Sequence, residues 1–134
     1  MITASVGLLP ELRIRHATGL ITAEELRTAA VDFVREAPTR LALWDFTDAD
    51  FSALPVAGLV AVFDAVVPYM SNRQGGRSAL LFNSPVGFGL GRMSEAFAEV
   101  RGYPCQIRAF RDWADAMRWL QMRPDEVEEG EDVA

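Results

Sequence analysis

The sequence predicts an α/β fold, a single sheet of four or five mostly parallel strands covered by four helices, in the order β-β-α-β-α-β-α-β-α. Three observations point there. Short apolar runs (Arg40–Phe46, Ser78–Asn83, Cys105–Phe110) alternate with longer segments of helical periodicity. Helix start and stop signals separate them: Thr22 and Asp112 as caps, Pro38 and Gly102-Tyr103-Pro104 as breakers. Period-two alternation, the mark of a half-buried strand, is confined to the N-terminal part.

Taken in order, Ser5–Leu9 reads as a weak strand and Pro10 as a turn. Leu12, Ile14, His16 and Thr18 then alternate with Arg13, Arg15 and Ala17, and Gly19 ends that strand. These two strands pair antiparallel at the sheet edge. Thr22-Ala23-Glu24-Glu25 is a capping box, and Leu26, Ala29, Ala30, Phe33 and Val34 form the inner face of the helix it opens. After the central strand Arg40–Phe46, which holds Asp45 near its end, comes an acidic loop with Asp48 and Asp50, then one apolar helix from Leu54 to Met70. Pro68 should end or kink it. Gly75-Gly76 is a turn before Ser78–Asn83. Pro85–Gly91 leads into a helix with Leu90, Met93, Phe97 and Val100 inward. Asp112 caps the last helix, with Trp113, Met117 and Leu120 inward.

A chain of 134 residues, half of them apolar, is one domain's worth. The body is expected over 1–122, with 123–134 as an acidic, solvated and disordered tail, a docking role being the lesser alternative. Six of the 19 acids lie in the last ten residues: Asp125, Glu126, Glu128, Glu129, Glu131 and Asp132. The other 124 residues hold 13 acids (19 minus six) against 13 arginines, so the net charge of −6 resides in the tail. A neutral body argues against nucleic acid. Every basic residue is Arg, which removes Schiff-base chemistry and a Walker lysine. Cys105 is the only cysteine, and no signal-peptide pattern opens the chain; a reduced, cytoplasmic setting is expected. Asp64, Pro55, Gly58 and Pro68 interrupt the apolar stretch from Ala53 to Asn72, so it reads as a buried helix rather than a membrane span.

Several motifs resemble those of the SpoIIAA-like family, related to STAS and Sec14-like domains. They are Gly19-Leu20-Ile21-Thr22-Ala23-Glu24-Glu25-Leu26, Trp44-Asp45-Phe46, Gly87-Phe88-Gly89-Leu90-Gly91-Arg92-Met93, and Phe110-Arg111-Asp112 with Ala116-Met117-Arg118-Trp119-Leu120. Together they cover about residues 12 to 120. The resemblance implies a regulatory interaction module, some members of which are switched by phosphorylation at the start of the second helix. Here that position reads Asp48-Ala49-Asp50-Phe51-Ser52-Ala53-Leu54-Pro55 and lacks the family's Ser-Gly context. Ser52 is the nearest hydroxyl and the candidate phosphorylation site, but a helix cap is the simpler role for it.

The chemistry for an enzyme is absent from the pattern. His16, the lone histidine, reads as a packed or edge residue, and no Gly-x-Ser-x-Gly elbow exists. One His and one Cys undersupply zinc, and Asp45, Asp48 and Asp50 lack EF-hand spacing; no metal or other cofactor is expected. Gly87, Gly89 and Gly91 with Arg92 form a candidate anion loop before a helix. The third glycine is misplaced for a dinucleotide fingerprint, and Ile107 stands where its acid belongs; close strand–helix approach is the simpler reading.

The expected function is therefore a non-catalytic module that binds a protein partner. The alternative is a Sec14-like carrier of an apolar small molecule or lipid, with peripheral membrane contact, using Phe63, Val67, Phe88, Leu90, Arg92 and Met93. An inner cavity lined by Phe63, Val67, Phe88 and Phe97 would favour the carrier. The apolar helix also allows a homodimer.

Overall fold

The four parallel strands and the one antiparallel strand lie in the order β1-β2-β3-β4-β5, the same order as in the chain. The computed structural model describes residues 1–7, 9, 11–36 and 39–122. Its elements are β1 (Ile2–Val6), β2 (Leu12–Leu20), α1 (Ala23–Glu36), β3 (Leu41–Asp50), α2 (Val56–Ala65), a 3-10 segment (Val67–Arg73), β4 (Arg77–Leu81), α3 (Pro85–Val100), β5 (Gln106–Phe110) and α4 (Trp113–Gln121). The acidic tail, Pro10 and Pro38 lie outside the described residues.

Strand alternation divides the core in two. Ala42, Trp44 and Phe46 of β3 face α1, α2 and α3, where Phe33, Leu59 and Phe63 meet them. Leu41 and Leu43 point to the opposite face, against Ala116, Trp119 and Leu120 of α4. Three crossovers that step in one direction along the sheet put their helices on one side when all share the usual hand. Among the described helices, α4 alone covers the other side. Arg77 latches its end by donating from Nη1 to the carbonyls of Trp119 (3.0 Å) and Met122.

Five differences from the sequence reading have local causes. First, β1 lies at Ile2–Val6, not Ser5–Leu9, because Gly7 and Glu11 make the turn: Gly7 N–H donates to Leu12 O, and Glu11 has φ 64°. Second, β2 and β3 run on to Leu20 and Asp50, so Asp48 and Asp50 stand with Asp45 in a strand rather than in a loop. Gly19, at φ 71°, pairs with Ala49 instead of ending its strand.

Third, the apolar helix is two pieces. Pro68 has no N–H to give to Asp64 O, and α2 stops at Ala65. Its apolar composition reflects its position between α1 and α3, with Leu59, Val62 and Phe63 buried. Fourth, the buried stripe of α3 is Gly87, Gly91, Ser94 and Ala98, while Val100 is 82% exposed. A Cβ at Gly91 would lie 2.4 Å from Phe82 Cε2 and 2.8 Å from Ala109 Cβ, so the helix sits on the sheet only because that side chain is missing. Fifth, α4 buries Ala116, Trp119 and Leu120, and Trp113 is 48% exposed.

The caps are largely as expected. Asp112 accepts the N–H groups of Ala114 (2.7 Å) and Asp115 (3.4 Å). Thr22 accepts the Glu25 N–H at 3.1 Å, and the Glu25 carboxylate pairs with the Met1 ammonium at 3.2 Å. Ser52 does not cap α2. Pro55 holds that position, and the Ser52 N–H donates to Asp50 Oδ1 at 2.9 Å. No helix among the described residues is long and apolar enough to cross a membrane.

Candidate functional site: the C-terminal edge of the sheet and the cavity beneath it

Parallel strands bring their C-terminal ends to one edge, and helices leaving those strands start there. Each of the four parallel strands delivers an apolar side chain to that edge. Leu20 ends β2, Val56 begins α2 after β3, Val86 lies in the first turn of α3 after β4, and Trp113 begins α4 after β5. They are 53%, 49%, 72% and 48% exposed, and they are four of the seven large apolar side chains exposed among the described residues. Arg111 lies over the Phe88 ring at 4.4 Å and ties the end of β5 to the start of α3.

The same edge carries a polar cluster. His16 Nδ1 lies 3.0 Å from Asp45 Oδ2, and its Nε2 lies 3.3 Å from Asp48 Oδ2. The register shift after His16 pairs Thr18 with Asp48, so one extra residue in β3 brings two aspartates three positions apart to one imidazole. Burial disfavours the Asp45 carboxylate. Bonds from the Thr47 hydroxyl and N–H and from His16 outweigh that and hold its pKa below the usual range. Bonds from Ser52 lower Asp50 likewise. No group of three or more His, Cys, Asp or Glu among the described residues could hold a metal.

Between the sheet and α1–α3 lies a cavity of about 110 Å³. Phe33, Trp44 and Phe63 are among the apolar side chains lining it; Arg73, Ser78, Ser94, Tyr103 and Cys105 are its polar members. Arg73 is only 2% exposed. It donates to the carbonyls of Thr39 and Arg40 (3.2 Å for the latter) and to Ser78 Oγ (2.8 Å). Its guanidinium lies 5.0 Å from the Phe33 ring centroid and packs on Gly76, where a Cβ would come within 2.8 Å of Cζ. Burial lowers its pKa. Burial also pushes the Cys105 thiol and the Tyr103 hydroxyl up.

The residues named from sequence do not converge. Phe63 and Leu90 line the cavity. Val67 is half exposed, Phe88 lies under Arg111, Met93 is half-buried outside the cavity wall, and Arg92 is exposed and 3.5 Å from Glu95. Gly87, Gly89 and Gly91 are inside α3 rather than in a loop ahead of it, and Ser84 Oγ already accepts the Gly87 N–H at 3.0 Å. Sequence reasoning missed Arg73 altogether. In Ser71-Asn72-Arg73-Gln74-Gly75-Gly76 it looks like part of a solvated turn, and only the absent Cβ of Gly76 hints that something packs there.

No family model matches the chain, and no curated protein matches it by sequence. Solved structures do match. An uncharacterised protein of the DUF3478 family with a SpoIIAA-like fold, from Shewanella loihica PV-4, is 18% identical at a TM-score of 0.56, over 90% of this chain and 92% of that one. An anti-sigma factor antagonist from Mycobacterium paratuberculosis is 16% identical at a TM-score of 0.52, over 91% and 96% of the two chains. Similar to both structures over nine-tenths of its length at TM-scores above 0.5, the chain has a SpoIIAA-like fold.

Proposed function

We propose that this chain is a cytoplasmic, non-catalytic regulatory module that binds a protein partner at the C-terminal edge of its sheet. The observation that carries the reading is the row Leu20, Val56, Val86 and Trp113, one exposed apolar side chain per parallel strand. Isolated exposed apolar residues need no explanation, but a row along one edge does. An aromatic with aliphatic neighbours inside a polar rim is the composition of a protein interface. His16, Asp48, Asp50 and Arg111 supply that rim. The neighbour from Mycobacterium paratuberculosis is an anti-sigma factor antagonist, and the shared fold supports a partner of that general kind. Ser52 is exposed on the same edge, beside Asp50. Its phosphorylation would place a dianion next to the apolar row and weaken the contact.

Carriage of a lipid inside the fold is disfavoured. A cavity of about 110 Å³ is smaller than the roughly 150 Å³ cavity that takes one benzene, so a long acyl chain has no room.

The test is capture from host extract with the wild-type chain and three variants, each first checked for an unchanged thermal midpoint. Val56→Asp and Trp113→Ala should each lose a stoichiometric partner, while Val100→Asp, at the far end of α3, should keep it. Loss with Val100→Asp alone would refute the assignment. If the wild-type mass instead doubles with concentration and Val56→Asp abolishes the doubling, the partner is a second copy.

A further inference from the structure

The cavity under α1–α3 holds an unbalanced charge. Four of its five polar groups are accounted for inside the protein. Ser94 Oγ donates to Leu90 O at 2.9 Å, the Tyr103 hydroxyl donates to Phe63 O, and Ser78 Oγ accepts from Arg73. Cys105 is a buried thiol whose pKa burial raises, and it is hydrogen-bonded to Arg73. Arg73 is different. It is a nearly fully buried cation, and the groups it bonds are two carbonyls, a hydroxyl and the Cys105 thiol. No carboxylate lies within ion-pair distance of it among the described residues.

A guanidinium keeps its proton under any ordinary condition. A buried charge without a counter-charge is costly, and that cost persists until an anion arrives. Arg15 places a second guanidinium 5.1 Å from the same Phe33 ring centroid that Arg73 faces at 5.0 Å. The five N–H groups of a guanidinium exceed the four hydrogen-bond partners of Arg73: Thr39, Arg40, Ser78 and Cys105. Donor capacity therefore remains on a side chain that lines the cavity.

Size sets the other half of the ligand. An apolar cavity of roughly 150 Å³ takes a six-carbon ring. The space here is about 110 Å³, walled by Phe33, Trp44, Val62 and Phe63. We propose that this cavity binds a short branched carboxylate of about four or five carbons, its alkyl group against Trp44 and Phe63 and its carboxylate on Arg73. Binding would supply the missing negative charge and fill the void at once. This claim is independent of the partner-binding edge.

The test is a titration of the wild-type chain with sodium isobutyrate, followed by ¹H–¹⁵N NMR at constant ionic strength. Isobutyramide, neutral and of the same shape, is the control. Saturable shifts at the Trp44 indole and the residues around Arg73 are expected, with the amide weaker by about tenfold or more. Ala30→Leu, which adds three carbons at the cavity wall, should abolish the response, as should Arg73→Met. Ala30→Leu keeps the test decisive if Arg73→Met does not fold. No saturable response, equal binding of acid and amide, or full binding by Ala30→Leu would each overturn the proposal. Edge variants such as Val56→Asp should bind isobutyrate as the wild type does.

Discussion

Gly89 and Gly91 stand two residues apart in α3, and the same substitution should move stability in opposite directions at the two. A Cβ at Gly89 meets nothing within 4 Å. Gly89→Ala therefore keeps only the helix-propensity gain of about 0.5–1 kcal/mol. A Cβ at Gly91 would come within 2.4 Å of the Phe82 ring and 2.8 Å of Ala109 Cβ. Phe82 packs against Phe46 at 5.3 Å and Phe51 at 5.9 Å, and the Ala109 Cβ is fixed to the backbone of β5. Overpacking of this kind costs about 1–3 kcal/mol, which exceeds the propensity gain. The net effect of Gly91→Ala is a loss of up to about 2.5 kcal/mol. For a domain of this size 1 kcal/mol corresponds to about 4 °C in Tm. Thermal unfolding followed by circular dichroism should show Gly89→Ala rising by about 2–4 °C and Gly91→Ala falling by up to about 10 °C. If Gly91→Ala rises as Gly89→Ala does, α3 does not sit on the sheet through its small residues.

Further consequences follow from the two cores and the ionisable groups. Leu43 is fully buried between β3 and α4, so Leu43→Ala should lose about 2–5 kcal/mol in urea unfolding; a loss under 1 kcal/mol would mean α4 is not packed there. The folded-state pKa of Asp45 is depressed. Its contribution is thus present above the unfolded value of about 3.9 and fades as pH falls through the lower folded value. Asp45→Asn should flatten the stability loss below about pH 4, and identical acid slopes for the two proteins would contradict the bonds from Thr47 and His16. The raised Cys105 thiol should react slowly with iodoacetamide at neutral pH, accelerating only above the ordinary thiol range of about 8.5; a rate at pH 7 matching a free thiol would place Cys105 in solvent.

The fold was legible because its signals are local and repeated. Thr22 and Asp112 cap the helices they were expected to open, and the central strands are apolar runs as buried parallel strands must be. What escaped depends on contacts between distant segments. The register of β1 against β2 set the first strand, and pairing with β3 carried β2 past Gly19. In α3 the large apolar residues drew attention, yet the packing face is the glycine–serine–alanine stripe, which carries almost no hydrophobic signal. The site was harder still. Phe63 and Leu90 reach the cavity, but Arg73 is buried by the convergence of Phe33, Gly76 and Ser78 from three elements or turns, and no local pattern encodes that. The exposed apolar residues at the sheet edge are likewise invisible until the strand order places Leu20, Val56, Val86 and Trp113 at the C-terminal ends of neighbouring strands.

The most direct test of the partner-binding edge is site-specific photocrosslinking in the host cell. A photoreactive residue is placed in turn at Val56, Trp113 and Val100, and the adducts are identified by mass spectrometry. The partner-edge account predicts one common protein crosslinked from Val56 and Trp113 and none from Val100. Crosslinks from Val100 alone, or no adduct from either edge position, would contradict it.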